Sequence, residues 1–375
     1  MNYREYKKDG SKISLLGFGG MRFPTKDGKI DREKSQELID IAFESGVNYF
    51  DTAYMYHNGE SELFFAEALA NYPRNSYYLA DKMPVWAAKN SEDVDRIFNE
   101  QLKKCNTEYF DFYLLHSVND DVYSTSVKYD VFNKLDEYRK SGKIKRLGFS
   151  FHGSIELLEK VVKEFDWDFA QLQLNYFDWT YQNAKRQYEI LVENDLPCIV
   201  MEPVRGGGLV SLTDDANKML KSLRPDRSIP SWAMRFVASL DNVLCILSGM
   251  SDETALKDNL LSLSDDEPFT ESDLEAVFKA KQMLIDAKTI PCTACKYCSE
   301  CPRGIAIPSL FGMYNDYAIS GNAFFFKESY NELSADAKPD SCIDCRLCVD
   351  RCPQGIKIPE KLKEVRQLAK NFNLD

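Results

Sequence analysis

Eight short apolar runs punctuate the first 250 residues, and most are followed by a segment whose apolar positions recur three and four apart. The runs are SLLGFG (14–19), VNYFD (47–51), YYLADK (77–82), FDFYLLH (110–116), RLGFS (146–150), FAQLQLN (169–175), PCIVME (197–202) and VLCILS (243–248). Their length and near-continuous apolar character suit strands buried on both faces. Between them Leu38, Ile39, Ala42 and Phe43 share one helical face, with Gly46 where a helix should end. Val94, Ile97, Phe98, Leu102 and Cys105 form a second such face, and Leu157, Leu158, Val161 and Val162 a third. Eight strands each followed by a helix predict an α/β fold, a parallel sheet closed as a (β/α)8 or TIM barrel. An open doubly wound sheet is the rival, and it should carry G-x-G-x-x-G at its first strand–helix turn. The stretch GFGGMRFP does not follow that pattern, so the barrel is favoured.

Charge and cysteine usage narrow the setting. The 375 residues carry 47 Lys and Arg against 59 Asp and Glu, a formal charge of −12. Such an excess argues against nucleic acid and against an anionic membrane surface as partners. No apolar run approaches the ~20 residues of a membrane span. The N-terminus MNYREYKKDGSKISLLG lacks the uninterrupted apolar core of a signal peptide. A cytoplasmic protein is expected, and there closely spaced cysteines point to metal before disulfides.

Of the 11 cysteines, Cys105, Cys198 and Cys245 fall in helix or strand patterns and read as small buried apolar residues. The other eight follow a break in periodicity near residue 286, which divides the chain into a barrel (1–286) and a small helical iron–sulfur domain (287–375). Cys342, Cys345, Cys348 and Cys352, followed by Pro353, have the spacing C-x2-C-x2-C-x3-C-P of bacterial ferredoxins. Cys292, Cys295, Cys298 and Cys301, before Pro302, are one residue shorter in the last gap. Two [4Fe–4S] clusters are expected, one cluster being the alternative and tetrahedral zinc the competing metal. With the usual exchange of fourth ligands, Cys292, Cys295 and Cys298 share a cluster with Cys352, while Cys342, Cys345 and Cys348 take Cys301. The stretches CPRGIAIPSL and CPQGIKIPEK form an imperfect repeat, each Pro starting a helix. Phe324, Phe325 and Phe326 between them read as core.

In barrels of this kind chemistry sits where the strands end. His57, His116 and His152 all lie within a few residues of a predicted strand end. Asp51 stands at the tip of the second strand, Tyr56 five residues on, Lys82 at the end of the third and His116 at the end of the fourth. A tyrosine with a pKa near ~10 is too weak an acid at neutral pH. A nearby ammonium lowers that value. A carboxylate holds the ammonium, and a histidine hydrogen-bonds the reacting oxygen. The set suits protonation of a carbonyl oxygen while hydride arrives at carbon.

The chain resembles the aldo-keto reductases, in the branch that carries a C-terminal ferredoxin-like extension. The resemblance spans nearly the whole chain and rests on GFGGMRFP, FDTAYMYHNGESE, DKMP, FDFYLLHS, GFSFHG, QLQLNYFD and LSGMSDETALKDN. It implies a barrel that binds NAD(P)H without a Rossmann fold. It also implies a catalytic tetrad of Asp51, Tyr56, Lys82 and His116, with Tyr56 as the proton donor in reduction. Ser150 and Gln173 then fall at the nicotinamide carboxamide. Gly20, Met21, Asp51, Met201, Glu202, Val204, Arg205 and Gly206 fall along the nicotinamide and pyrophosphate, and Ser248, Gly249 and Asn259 toward the adenosine. Departures include Met201 where family members often have an aromatic ring, and Phe151 where Asn often follows the serine. The adenosine loop carries Lys257 among Asp252, Glu253 and Asp258, which favours NADH over NADPH unless Lys257 or Arg205 reaches a 2′-phosphate.

The expected activity is reversible oxidoreduction of a small carbonyl or alcohol. The alternative is an electron-transfer protein in which the clusters do the main work for a partner protein and the barrel is a scaffold. Nicotinamide yields two electrons as hydride and a cubane takes one. Coupling them needs a switch such as flavin, for which no fingerprint is present, although barrels bind FMN without one.

Overall fold

A computed structural model describes residues 1–265, 267–320 and 322–374. All eight expected strands are present: β1 (Leu16–Gly19), β2 (Tyr49–Asp51), β3 (Tyr78–Met83), β4 (Phe112–Val118), β5 (Leu147–Phe151), β6 (Phe169–Gln173), β7 (Cys198–Met201) and β8 (Val243–Ser248). They pair in parallel in the order β6-β7-β8-β1-β2-β3-β4-β5, and β5 pairs with β6 to close the ring. Nearly every residue of these strands is buried, which is why they lack the polar alternation of a half-exposed sheet. The barrel interior is filled by side chains, among them Tyr49, Ala80, Phe112, Leu114, Phe169, Ile199 and Leu244.

An antiparallel hairpin, Tyr3–Tyr6 with Ser11–Ser14, precedes β1 and adds Tyr6 and Ile13 to that core. The Arg146 guanidinium lies 4.9 Å above the rings of both Tyr6 and Phe112, near the strand beginnings, and pairs with Asp9 at 2.5 Å. That end is closed by packing. The polar residues singled out from the sequence stand at the other end, where the strands finish.

The chain divides into two compact units, Met1–Pro203 with Met234–Phe269, and Val204–Ala233 with Thr270–Asp375. In the second unit, helix Asp214–Leu223 is followed by Arg224, whose guanidinium pairs with Asp273 at 3.1 Å near the start of helix Glu271–Asp286. Beyond it the internal repeat is written into the backbone. Ala294 and Lys296 flank Cys295 with left-handed φ of 51° and 66°, and Asp344 and Arg346 flank Cys345 with 54° and 62°. Gly304 and Gly355 answer each other at 71° and 61°. Helices Ile307–Ser320 and Ile358–Asn371 follow, both opening on Ile-Pro. Ile305 and Ile307 enter one core together with Ile356 and Ile358. Phe326 joins that core, but Phe324 and Phe325 are exposed at 62% and 65%. Consecutive helical positions point about 100° apart, so three in a row cannot share one buried face.

Cys198 and Cys245 are fully buried and Cys105 nearly so. Among the described residues no helix is long and apolar enough to cross a membrane.

Candidate active site and cysteine quartets

Three adjacent strands bring the polar residues of the first unit together. Lys82 Nζ donates to Asp51 Oδ1 at 2.6 Å and to the Thr52 carbonyl at 2.7 Å. Both charged side chains are buried, Lys82 at 0% and Asp51 at 2% exposure, so neither is left as an isolated charge. The same ammonium lies 5.0 Å from the centre of the Tyr56 ring. Tyr56 is partly exposed and starts a 3-10 turn, Tyr56–Gly59, in which His57 and Asn58 take left-handed φ of 50° and 57°. Its ring meets His116 edge-on, with centroids 6.3 Å apart. On the other side of His116 lies the Trp86 ring at 4.9 Å, an aromatic just after β3 that sequence reading passed over.

Among the described residues, two buried atoms in this group have no hydrogen-bond partner: Asp51 Oδ2 and His116 Nδ1. Burial, then the charges of Lys82 and His152, holds His116 well below the usual imidazole range, so it is neutral. Burial pushes the Asp51 carboxyl up, against the opposing pull of Lys82. The Tyr56 phenol is raised well above its ordinary value, first by burial and then by Asp51 and Glu202, with Arg22 pulling the other way. This differs from the expected lowering by an ammonium, and the reason is geometric. The Lys82 charge is answered at 2.6 Å by Asp51, so burial dominates and the neighbouring carboxylates add to it. Tyr56 is therefore a held phenol.

His57 and His152 take other places. His57 Nε2 accepts the Phe23 N–H at 3.1 Å. His152 follows β5 directly, and burial pushes it down to about 4.

The residues implied for nucleotide contact are distributed as follows. Ser150 Oγ accepts the Ser117 N–H at 2.7 Å. Gln173 Nε2 donates to Asp178 Oδ2 at 2.8 Å, a carboxylate that also accepts from Asn175. Met201 Sδ receives the Gln171 amide at 3.3 Å. Glu202 has φ 57° and lies 3.6 Å from the Arg22 guanidinium. Gly20 donates its N–H to the Asp51 carbonyl at 2.8 Å, and Met21 follows it. A side chain at Gly20 would meet Phe65 at 2.4 Å and Ser61 at 2.7 Å, so only glycine fits. Gly249 lies against the Arg22 stem, and Asn259 Nδ2 donates to Ser248 Oγ at 2.9 Å.

Val204, Arg205 and Gly206 belong to the second unit. Arg205 is buried and donates to the Pro291 carbonyl at 3.4 Å. Gly206 has φ +64°, and a Cβ there would fall 2.1 Å from the Thr293 carbonyl oxygen. The glycine-rich turn is thus pressed against the first cysteine motif, backbone to backbone. Gly206→Ala is expected to destabilise the second unit by about 2–4 kcal/mol, through left-handed strain plus overpacking. Denaturant unfolding with limited proteolysis around Thr293 measures it, and an unchanged midpoint and cleavage pattern would refute the close approach.

The eight cysteines of the second unit gather into two quartets. One hollow is lined by Cys292, Cys295, Cys298 and Cys352, the other by Cys301, Cys342, Cys345 and Cys348. Ile307, Phe311, Ile356 and Ile358 line the first. Burial, reinforced by Cys295, Cys292 and Cys352, raises the Cys298 thiol to about 12. Burial, with Cys301, Cys342 and Cys345 adding to it, raises Cys348 to about 11. Among the described residues no three His, Cys, Asp or Glu side chains are arranged to hold a single metal ion. The donor set fits an iron–sulfur cluster: four soft sulfurs per hollow, contributed across the repeat. The backbone fits as well. Left-handed residues on either side of Cys295 and of Cys345 turn each loop about its central cysteine, and the Ala294 N–H donates to Cys292 Sγ at 3.4 Å.

Comparison with known proteins agrees with both parts. Residues 15–281 match the profile described as the aldo/keto reductase family, and residues 291–356 that of a 4Fe-4S dicluster domain. The chain is 22% identical over 311 residues to the uncharacterized oxidoreductase YqkF of Bacillus subtilis, covering 74% of this chain and 95% of that protein. It is 22% identical over 298 residues to the NADH-specific methylglyoxal reductase of Escherichia coli, covering 67% and 90%. Among solved structures, the holo form of aldo-keto reductase AKR11C1 from Bacillus halodurans superposes with a TM-score of 0.62 at 22% identity, over 75% of this chain and 96% of that one. An aldo/keto reductase from Klebsiella pneumoniae, solved with NADP and acetate, gives 0.59 at 19% identity, over 72% and 92%.

Proposed function

Because the chain belongs to the aldo/keto reductase family and carries a C-terminal 4Fe-4S domain, we propose that this oxidoreductase reduces a small aldehyde or ketone with a nicotinamide nucleotide. The observation that carries the reading is the meeting of Asp51, Tyr56, Lys82 and His116 at the strand ends, with a protonated phenol and a neutral imidazole. NAD(P)H, when bound, supplies hydride to the carbonyl carbon. Tyr56 gives its proton to the carbonyl oxygen, and the imidazole of His116 orients that oxygen. Lys82 steadies the phenolate left behind, while Asp51 holds Lys82 in place. Burial keeps the phenol protonated in the resting site, so the proton is in place when the carbonyl oxygen arrives. Ser150 and Gln173 would orient the nicotinamide, and Ser248 and Asn259 the far end of the nucleotide.

The cysteine quartets would hold one cluster each, supplying one-electron chemistry or a structural staple in the second unit. Hydride transfer and one-electron transfer do not combine without a two-to-one switch, so the two parts work in parallel. The small-molecule substrate is a carbonyl compound or, in the reverse direction, an alcohol. The test is oxidation of NADH and of NADPH against a panel of small aldehydes and ketones, using anaerobically purified protein. No turnover of either nucleotide with any carbonyl would sink the reading.

NADH is the favoured nucleotide. Lys257 is paired with Glu253 at 2.5 Å, and Arg205 is engaged with the Pro291 carbonyl. NADPH is expected to bind no better than NADH in equilibrium titration at physiological salt. A tenfold preference for NADPH, ~1.4 kcal/mol, would overturn this choice.

A further inference from the structure

Directly behind Lys82, on the outer face of β3, lies a buried cluster of ionisable groups to which the proposed reaction gives no role. Strand side chains alternate, so with Ala80 and Lys82 on the barrel side Asp81 faces the surrounding helices. Asp81 and Glu62, the latter from helix Glu60–Ala68, are both 0% exposed, and Gln101 Nε2 links their surroundings, reaching Glu62 Oε1 and the carbonyl of Lys82, next to Asp81, each at 3.0 Å. Neighbouring carboxylates kept from water disfavour each other's ionisation.

Their other partners say which one holds the proton. Glu62 Oε1 accepts from Gln101 Nε2 at 3.0 Å and Oε2 from Lys104 Nζ at 3.1 Å, both on helix Ser91–Lys104. Those contacts favour the charged carboxylate. Among the described residues the donors to Asp81 are neutral: its Oδ1 accepts the Lys82 N–H at 2.8 Å, and Cys105 Sγ lies 3.7 Å from Oδ2. Gln101 Nε2 also donates to the Lys82 carbonyl at 3.0 Å, while its Oε1 accepts from Tyr113 Oη on β4 at 2.6 Å. The Lys82 residue is therefore gripped at both peptide groups, its N–H by Asp81 and its carbonyl by Gln101, and Glu62 holds that same Gln101 amide.

We propose that Asp81 stands as the neutral acid, donating its proton to Glu62, and that this pair is the positioning element that sets Lys82 against Asp51 and Tyr56. The groups facing Asp81 are Glu62, Lys104, Cys105, Tyr113 and Lys82. Cys105 and Tyr113 are held neutral by burial first and then by the Glu62 charge. Burial, followed by the Glu62 charge, pushes the Asp81 pKa well above the carboxylate range. The positioning role deepens the proposed reaction and depends on it. The proton assignment does not.

Asparagine reproduces a neutral aspartic acid here, since its amide can donate to Glu62 and its oxygen can accept from Lys82. Asp81→Ala is expected to lower kcat by about tenfold or more, with KM for the nucleotide unchanged, because Lys82 loses its grip. Asp81→Asn should restore most of that loss. The thermal arm needs no activity. Folded Asp81 keeps its proton, whereas the unfolded side chain releases it above pH ~4. Wild-type stability is therefore full below that pH and is lost as pH rises toward the folded pKa. The difference in Tm between Asp81→Asn and the wild type should move in favour of Asn from pH 5 to pH 8. A difference independent of pH overturns the proposal. If the shift appears but Asp81→Asn is as slow as Asp81→Ala, the positioning role falls. Should the wild type reduce no carbonyl at all, the proposed reaction falls instead, and the thermal comparison still decides where the proton sits.

Discussion

Replacing Tyr56 by Phe is expected to abolish carbonyl reduction while leaving nucleotide affinity within a few-fold. The phenyl ring keeps its edge contact with His116 and its place above the Lys82 ammonium, so only the hydroxyl is lost. That hydroxyl contributes mainly when charge develops on the substrate oxygen, and removal of such a group costs about 10²–10⁴ in kcat. Steady-state kinetics with the best substrate, alongside equilibrium nucleotide binding, separates the two effects. A Phe variant with full kcat would remove Tyr56 from the mechanism. Equal losses in turnover and nucleotide binding would mean instead that the ring, through packing, shapes the nucleotide site.

The second large effect is expected from Cys352→Ala. Cys352 is closest in sequence to Cys348, yet it lines the hollow of Cys292, Cys295 and Cys298. Cys301 correspondingly lines that of Cys342, Cys345 and Cys348. Each quartet therefore spans the repeat, and ligand bonds formed there contribute directly to folding because the unfolded chain has no preformed site. The variant should lose the cluster of the first motif and retain the other, with iron falling from about eight to about four per chain. Cys301→Ala should do the reverse. Spectroscopy of the reduced proteins distinguishes the two, and limited proteolysis should reveal a loosened second unit. Loss of only the cluster assigned to Cys342, Cys345 and Cys348 in Cys352→Ala would refute the exchange. Zinc in place of iron and sulfide under anaerobic conditions would remove the redox chemistry altogether.

Much of this protein was legible in its residues. A strand buried on both faces has to be apolar along its length, so the eight runs announced themselves without neighbours. Metal ligation by soft thiolates needs closely spaced cysteines, and the spacing after residue 290 points to ferredoxin-like clusters wherever the segment sits. Asp51, Tyr56, Lys82 and His116 stood out because strand ends are where a barrel exposes polar groups. Trp86 was harder to find, since an aromatic beside a strand end looks like any other until it is seen 4.9 Å from His116.

What depended on the tertiary structure was everything set by contacts between distant segments. The run Phe324–Phe326 reads as uniformly apolar, yet helical geometry buries only Phe326. The direction of the Tyr56 shift could not be inferred from a nearby lysine, because it depends first on burial, then on Asp51 neutralising that lysine and on Glu202, distant in sequence, adding its own charge. Gly206 looks like any residue of a flexible GGG turn until the Thr293 backbone is found 2.1 Å from where its Cβ would be. Asp81 and Glu62 stand 19 positions apart in the sequence, and only the packing of two helices on β3 removes their water. Periodicity and ligand spacing are local properties that a chain carries in its order of residues. Protonation and close approach depend on which groups the fold leaves without solvent, and that is decided only when the segments meet.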